Sequence, residues 1–425
     1  MAVAQKQAKI GEVWNSVSVD ALGGLAEQEA PPRPKLAIVG IGAAAAAALL
    51  AATLATQGWR QGLLLVVGLA LGATLYHARF GFASAFRQLA AVGQGRGLRA
   101  HLLMLAAGSI LFAGILSFGH GIGGIKVRPE TTGTIGVSLI LGAFLFGVGM
   151  QLGGACASGT LFAIGGGQSA IVITLVGFVA GSALGAWHWG FWVVQAPHLP
   201  PVLYGQSLGY GPALVLQLVV LGAIGLISLA VERRRRPPLP ADPPTARGVA
   251  RVLRGSWPLW AGAIALAALN GLTLLLIGKP WGVTSAFALW GSKIAVLFGV
   301  HAGDWAYWHG KAASLNGSLL ADTTSITDFG IILGALIAAG LSGTFLLHRR
   351  IPGRVALAAL AGGILMGYGA RLAFGCNIGA YFGGIVSFSL HGWIWGVMAI
   401  GGTYAGMAVR PLFGMAKPKP SDGVC

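Results

Sequence analysis

Apolar residues in this chain come in long unbroken runs, and the polar residues collect between them. A helix needs roughly 20 residues to cross the hydrocarbon core of a bilayer. On that scale the runs predict spans at Leu36–Thr56, Gln61–Tyr76, His101–Phe118, Thr134–Gly149, Ser169–Gln195 and Pro212–Val231. Four more follow, at Pro258–Ile277, Phe329–Leu347, Val355–Gly369 and His391–Phe413. The Trp187, His188, Trp189 and Trp192 cluster reads as an interfacial aromatic belt at the end of the fifth span.

Four shorter stretches fit neither a span nor a free loop. Residues 77–87 and 280–293 each carry a Ser-Ala-Phe triplet, at Ser84 and at Ser285. The other two follow glycine-rich span ends and contain Cys156 and Cys376. These last two repeat one another at an offset of 220, which also pairs Gly142 with Gly362, Gly149 with Gly369, Leu152 with Leu372 and Phe162 with Phe382. An apolar run that turns glycine-rich, meets one cysteine and becomes apolar again predicts a helix broken at membrane depth. The expected fold is therefore all-α and polytopic, with about ten transmembrane helices, four re-entrant or half-helix segments and an internal repeat.

Composition agrees. Of 425 residues, 55% are hydrophobic and 9% charged, and no Asp, Glu, Lys or Arg occurs between Glu130 and Glu232. The formal charge of +17 could suggest nucleic acid, but its basic residues gather at span ends: Arg233–Arg236, Arg349, Arg350, Arg354 and Arg410. Basic residues at span ends mark the cytoplasmic side, so no nucleic-acid partner is expected. With both termini cytoplasmic and 280–327 leaving and returning on one face, Cys156 is approached from one side and Cys376 from the other. The repeat is then inverted, and inverted repeats place substrate sites where broken helices meet.

Five regions follow: a tail or surface helix over 1–34, a first membrane half over 35–231, a basic Pro-rich linker over 232–257, a second half over 258–413 and a tail over 414–425. Three cysteines, Cys156, Cys376 and Cys425, cannot build a disulfide framework or a four-thiolate zinc site. No secretory leader is legible in residues 1–34.

A single membrane cysteine reads as a small apolar residue. Two at matched repeat positions, each in a glycine-rich break, favour a functional thiol. Such a thiol stays protonated and donates S–H to a soft acceptor, for which a sulfur-containing anion qualifies. Gly154 and Gly375 open the backbone at the breaks, and Ser158 and Asn377 offer polar groups beside the thiols. Gln151 and Arg371 occupy one repeat position, five residues before each cysteine. A guanidinium in a span costs about 2.5–3.5 kcal/mol, so Arg371 either compensates an anion or ties down carbonyls of the broken helix. Ser84, Arg87, Ser285 and Lys293 are candidate vestibule residues.

The expected exclusions are equally concrete. His301, Asp304 and His309 lie among interfacial aromatics, and no metal site or cofactor is predicted. No acidic residue falls in a predicted span, which argues against a carboxylate proton relay. There is no P-loop and no persuasive Ser/His/Asp set, so no enzymatic activity is expected.

At GMQLGGACASG (149–159), GARLAFGCNIGAYFGG (369–384), RFGFASAFR (79–87) and PWGVTSAFALWGSKIA (280–295) the sequence resembles the YeeE/YedE sulfur-transport family of bacterial inner-membrane proteins. The long two-half form resembles the branch labelled as selenium transporters. The resemblance implies an hourglass-shaped importer that passes thiosulfate, or a related sulfur or selenium anion, along cysteine thiols by transient S–H···S contacts. That role carries over to Cys156 and Cys376. It differs at the residues that follow: a Cys-Thr-Ser-Gly-His break in some members is Cys156-Ala-Ser-Gly-Thr160 and Cys376-Asn-Ile-Gly-Ala380 here. The expected partners are the lipid bilayer, the small anion and a cytoplasmic sulfur carrier meeting Cys425 or the linker. The alternative functions are a selenium-species transporter and a membrane sulfur-relay protein.

Overall fold

The computed structural model describes residues 32–129, 133–237, 248–347 and 351–416. The 1–34 tail up to position 31, the centre of the linker at 238–247, and Cys425 with the tail from 417 lie outside the described residues.

The protein is an all-α polytopic membrane protein. Its first part contains α1 (Leu36–Gln57), α2 (Trp59–Ala78), α3 (Phe82–Val92), α4 (Arg96–Phe118), α5 (Val137–Gly153), α6 (Ala157–Gly165), α7 (Ser169–Trp187) and α8 (Tyr210–Arg235). Its second part contains α9 (Leu259–Ile277), α10 (Thr284–Leu297), α11 (Thr323–Ser342), α12 (Gly353–Leu372) and α13 (Leu390–Val409). A π-helical turn over Asn377–Phe382, continued by Gly383–Val386, stands between α12 and α13. Nine helical stretches among the described residues are long and apolar enough to cross a membrane. Helix α13, with 20 residues, is the tenth long helix. Helices α3, α6 and α10 and the π-helical turn stand at the four short segments that carry the Ser-Ala-Phe triplets and the cysteine breaks.

Several boundaries depart from the sequence expectation. Helix α7 stops at Trp187, and Gly190–Gln195 form a separate π-helical turn. Residues Ile135–Gly136 pair antiparallel with His198–Leu199 before α5 begins. Helix α8 runs past Val231 to Arg235, since Glu and Arg are good helix formers and cations suit a helix C-terminus.

The largest departure concerns α11. It starts at Thr323, six residues before Phe329, because Asp322 caps it by accepting from Ser325 N–H at 2.7 Å. Its first turns are polar yet buried, with Thr324, Ser325, Thr327 and Asp328 all inside the bundle. Asp328 is thus an acidic residue within a span, contrary to the expectation that none would be.

Packing follows a two-fold pattern. Helix α12 packs on α7 as α5 packs on α13, and α11 packs on α2 as α9 packs on α4. At the centre α5 and α12 cross antiparallel on glycine. A Cβ on Gly142 would lie 2.7 Å from the Gly369 carbonyl, and one on Gly149 would lie 2.6 Å from the Gly362 carbonyl. Those two contacts exchange under the 220-residue offset, so the halves are inverted with respect to one another. Small residues let the backbones touch where lipid offers no hydrophobic gain to larger ones. Helices α1 and α8 lie at the periphery, with Leu36, Ile41, Val215, Val219 and Leu226 exposed as lipid-facing surfaces require.

Candidate functional site

The site is where the two broken helices meet. Helix α5 ends at Gly153, and Gly154 turns the chain with φ of +82°. Two residues on, Cys156 adopts an extended conformation (φ −84°, ψ −174°) and caps the N-terminus of α6. In the second half α12 ends at Leu372, and the residue matching Gly154 is Phe374, held at φ of +61°. Gly375 follows at φ of +153°, and Cys376 then caps the π-helical turn from the same extended conformation (φ −105°, ψ −166°). One break is therefore built twice with different residues. Its second copy places a bulky side chain in the left-handed region, where an L-residue is strained. The Phe374 ring is held by edge contacts with Trp189 at 5.3 Å and His391 at 5.7 Å.

Neither sulfur faces lipid: Cys156 is 2% exposed and Cys376 1%. Cys156 Sγ accepts from Gly159 N–H at 3.4 Å and lies 3.6 Å from Ser158 Oγ. Cys376 stands at the N-cap of the π-helical turn, beside the backbone of Asn377 and Ile378, without a side-chain cap hydrogen bond of the kind Cys156 makes. Each thiol thus sits among backbone donors at a helical N-terminus, where partial positive charge collects.

In the membrane bundle several polar atoms are buried without protein partners. Both polar atoms of the Asn377 side chain are in that state, as are Gln151 Oε1, both carboxylate oxygens of Asp328, His391 Nε2 and Trp395 Nε1. Buried polar groups in proteins are ordinarily satisfied, so these atoms are open to water or a ligand.

Gln151 and Arg371 are both buried, and each reaches the short helix of its own half. Gln151 Nε2 lies 3.4 Å from the Ala83 carbonyl and 3.5 Å from Thr403 Oγ1. Arg371 donates to Tyr307 Oη at 2.8 Å and to Thr284 Oγ1 at 2.6 Å, with its guanidinium 5.6 Å from the Tyr307 ring centroid. Both bonds go to hydroxyls rather than to carbonyls of the broken helix, and Arg371 Nε has no partner. Carbonyl capping of this kind falls to Arg410, whose Nη1 donates to the Gln151 carbonyl at 2.7 Å.

The vestibule candidates lie on α3 and α10. Ser84 is buried and donates to the Gly81 carbonyl at 3.0 Å. Ser285 is exposed and donates to Thr324 Oγ1 at 2.9 Å. Arg87 is half-buried on α3. Lys293 Nζ donates to the Gly317 carbonyl at 2.7 Å, linking α10 to the turns that precede α11. Among the described residues no group of three His, Cys, Asp or Glu could hold a metal ion.

Sequence reasoning missed several residues. Tyr307 and Thr284 hold Arg371, but nothing in their local sequence announces it. Tyr381 joins a run of rings through Phe82 (6.2 Å) and Trp395 (6.1 Å), and Trp395 continues to Phe146 at 5.3 Å. Asp328 is the sixth residue of α11, as His101 is the sixth of α4, and both are buried with unpartnered ring or carboxylate atoms. The two lie 227 positions apart rather than 220, so the repeat offset alone does not pair them.

A sequence-family model described as "Sulphur transport" matches residues 77–405. "Probable transporter YedE" of Salmonella typhimurium is 38% identical over 160 residues, which are 36% of this chain and 39% of that relative. The matched stretch therefore spans well under half of that relative's length. "Thiosulfate transporter TsuA" of Spirochaeta thermophila is 28% identical over 355 residues, 80% of this chain and 96% of the relative. The Escherichia coli protein of the same name is 26% identical over 82% of this chain.

Proposed function

This chain belongs to the sulphur-transport (YeeE/YedE) family of membrane transporters, and from that premise we propose that it takes up thiosulfate, or a closely related sulfur anion, along a path lined by Cys376 and Cys156. The observation that carries this reading is the mirrored placement of two buried thiols. Each belongs to the N-cap residue of a helical segment, and the two halves approach them from opposite directions.

In this reading the half-helix N-termini and the Asn377 amide attract the anion. Cys376 receives it from the outer side and Cys156 passes it inward. Each thiol donates S–H to the terminal sulfur, so no covalent bond forms and none must be broken for release. Weak sequential contacts permit exit as well as entry. Arg371, held by Tyr307 and Thr284, keeps a positive charge near the second break and offsets part of the anion's desolvation. The protein sits in the bacterial inner membrane with both termini in the cytoplasm, which places its basic span ends inside. TsuA relatives carry thiosulfate in their names along nearly their whole length, and this favours thiosulfate over a selenium species.

The test is uptake of labelled thiosulfate by purified protein in liposomes, competed with selenite and selenosulfate. Cys156→Ala and Cys376→Ala should each cut uptake at least tenfold while the protein still inserts and elutes as a folded species. Undiminished uptake by both variants removes the thiol path, and stronger competition by a selenium species reassigns the substrate.

A further inference from the structure

Asp328 is used by none of the steps above, and its setting is unusual. It is fully buried on a membrane-spanning helix, and neither carboxylate oxygen has a hydrogen-bond partner. Three hydroxyls lie within about one helical turn, and each is engaged elsewhere. Ser325 Oγ donates to Asp322 Oδ2 at 2.7 Å and receives Trp290 Nε1 at 2.9 Å. Thr327 donates to the Thr323 carbonyl, and Thr324 receives Ser285. Ser325 and Thr327 thus donate elsewhere, and Thr324, which accepts from Ser285, makes no bond to the carboxylate.

Among the described residues no counter-charge replaces them. The elements packed on α11 are α1, α2, α6, α10 and the turn at Ala250–Arg254. Helix α1 carries no charged side chain, and α6 contributes only Cys156 at its cap. The titratable groups of α2 are engaged toward its ends: Arg60 donates to the Gly123 carbonyl, Tyr76 bonds Thr344, and His77 packs on Trp257. Lys293 of α10 is held by Gly317, Arg251 donates to the Ser256 carbonyl, and Arg254 donates to the Pro32 carbonyl. The groups near enough to act on the carboxyl through space are Asp322, of like charge, and the Cys376 thiol.

An ionised carboxylate here would repel an anion arriving at Cys376 in a medium that screens charge poorly. A neutral carboxyl would not, and its O–H could also donate. Resting on the uptake reading above, we infer that Asp328 is the proton-coupling site: its carboxylate takes one proton from the outer side before the anion passes Cys376. The O–H bond formed there is broken when the proton leaves inward with the anion. Thiosulfate then crosses with one proton, and each cycle carries one negative charge fewer than the bare dianion would.

Proteoliposomes of the full chain decide this, with the membrane potential clamped and labelled thiosulfate outside. Wild-type protein should accumulate thiosulfate several-fold when the outside is made acidic, lose that accumulation on adding a protonophore, and alkalinise the outer medium when thiosulfate is added. In D328N the ratio of uptake with and without the pH gradient should fall to unity, and D328E should restore part of it. Wild-type uptake that ignores the gradient, accumulation driven by sodium instead, or a D328N variant that keeps the full ratio each overturns the assignment. The wild-type proton flux alone is decisive if D328N fails to insert. Wild-type vesicles that cannot even exchange thiosulfate at equal pH overturn the uptake reading itself, a result distinct from exchange without coupling.

Discussion

Gln151 and Arg371 stand at one register position of the inverted repeat and make matching contacts. Gln151 reaches the Ala83 carbonyl on α3, and Arg371 reaches the Thr284 hydroxyl on α10, each residue just before the Ser of its Ser-Ala-Phe triplet. The fold thus anchors each broken helix to the short helix of its own half, once with a neutral amide and once with a cation. Only the second copy adds Tyr307, at 2.8 Å.

Because its fork is bonded to two hydroxyls, Arg371 should be structural as well as electrostatic. Arg371→Gln leaves Tyr307 and Thr284 without a charged donor. Hydrogen bonds to charged groups contribute about 1.5–3 kcal/mol, so a destabilisation of about 2 kcal/mol or more is expected. Arg371→Lys should fall between, since an ammonium cannot present the planar fork. Thermal unfolding in detergent, with Tyr307→Phe as a single-bond comparison, gives the order. An unchanged midpoint for Arg371→Gln would leave anion compensation as the sole reason for burying the charge.

The glycine crossing of α5 and α12 makes a sharper forecast. A methyl at Gly149 or Gly362 would lie 2.6 Å or 2.2 Å from backbone atoms of the opposing helix. Backbone cannot swing aside as a side chain can, so Gly149→Ala and Gly362→Ala should each cost about 1–3 kcal/mol or more. Gly353, at the start of α12, has open space where a Cβ would stand. Gly353→Ala should therefore leave the unfolding midpoint nearly unmoved, and equal losses at all three positions would remove the crossing as the cause.

That crossing is legible in the amino-acid sequence, because a constant offset between two glycine-rich breaks persists whatever the chain does elsewhere. The number and type of the elements are legible for a related reason: uninterrupted apolar runs have few alternatives in a bilayer. Polarity turned inward is what stays hidden. Residues Thr323–Asp328 read as a loop because hydropathy cannot tell a polar residue facing water from one facing the bundle interior. The partners of Arg371 are hidden too. Tyr307 is separated from it by 64 positions and belongs to a turn whose aromatics look interfacial. Phe374 at φ of +61° has no forewarning either, since the first break uses glycine at that place.

The same cap that moves the start of α11 is open to measurement. Asp322 Oδ2 receives both the N–H and the Oγ–H of Ser325, each at 2.7 Å. Losing an Asp N-cap costs about 0.5–2 kcal/mol, so Asp322→Ala should destabilise the protein by that amount. It should also speed amide exchange in the first turn of α11 more than in its last. Asp322→Asn, which keeps an accepting oxygen, should recover most of the protection. Equal exchange along the whole helix would mean that tertiary packing, not the cap, sets where α11 begins.

Lys293 separates two readings of one cation. As a vestibule charge it would draw the anion from solution, whereas its observed bond ties α10 to Gly317 across the turns at 302–316. Lys293→Met keeps the apolar stem and removes the donor. The tie predicts several-fold faster amide exchange through Ala312–Asn316, while the neighbouring Trp308–Ser292 bond, at 3.0 Å, holds its own segment in place. Attraction predicts something else, because exposed charges act over roughly a Debye length, about 8 Å at physiological salt. If Lys293 steers the anion, the variant should show a higher KM at low salt and lose the salt dependence of uptake. A variant with faster exchange and an unchanged salt response makes the lysine a strut, and the outer attraction then rests on the helical N-termini and Arg371.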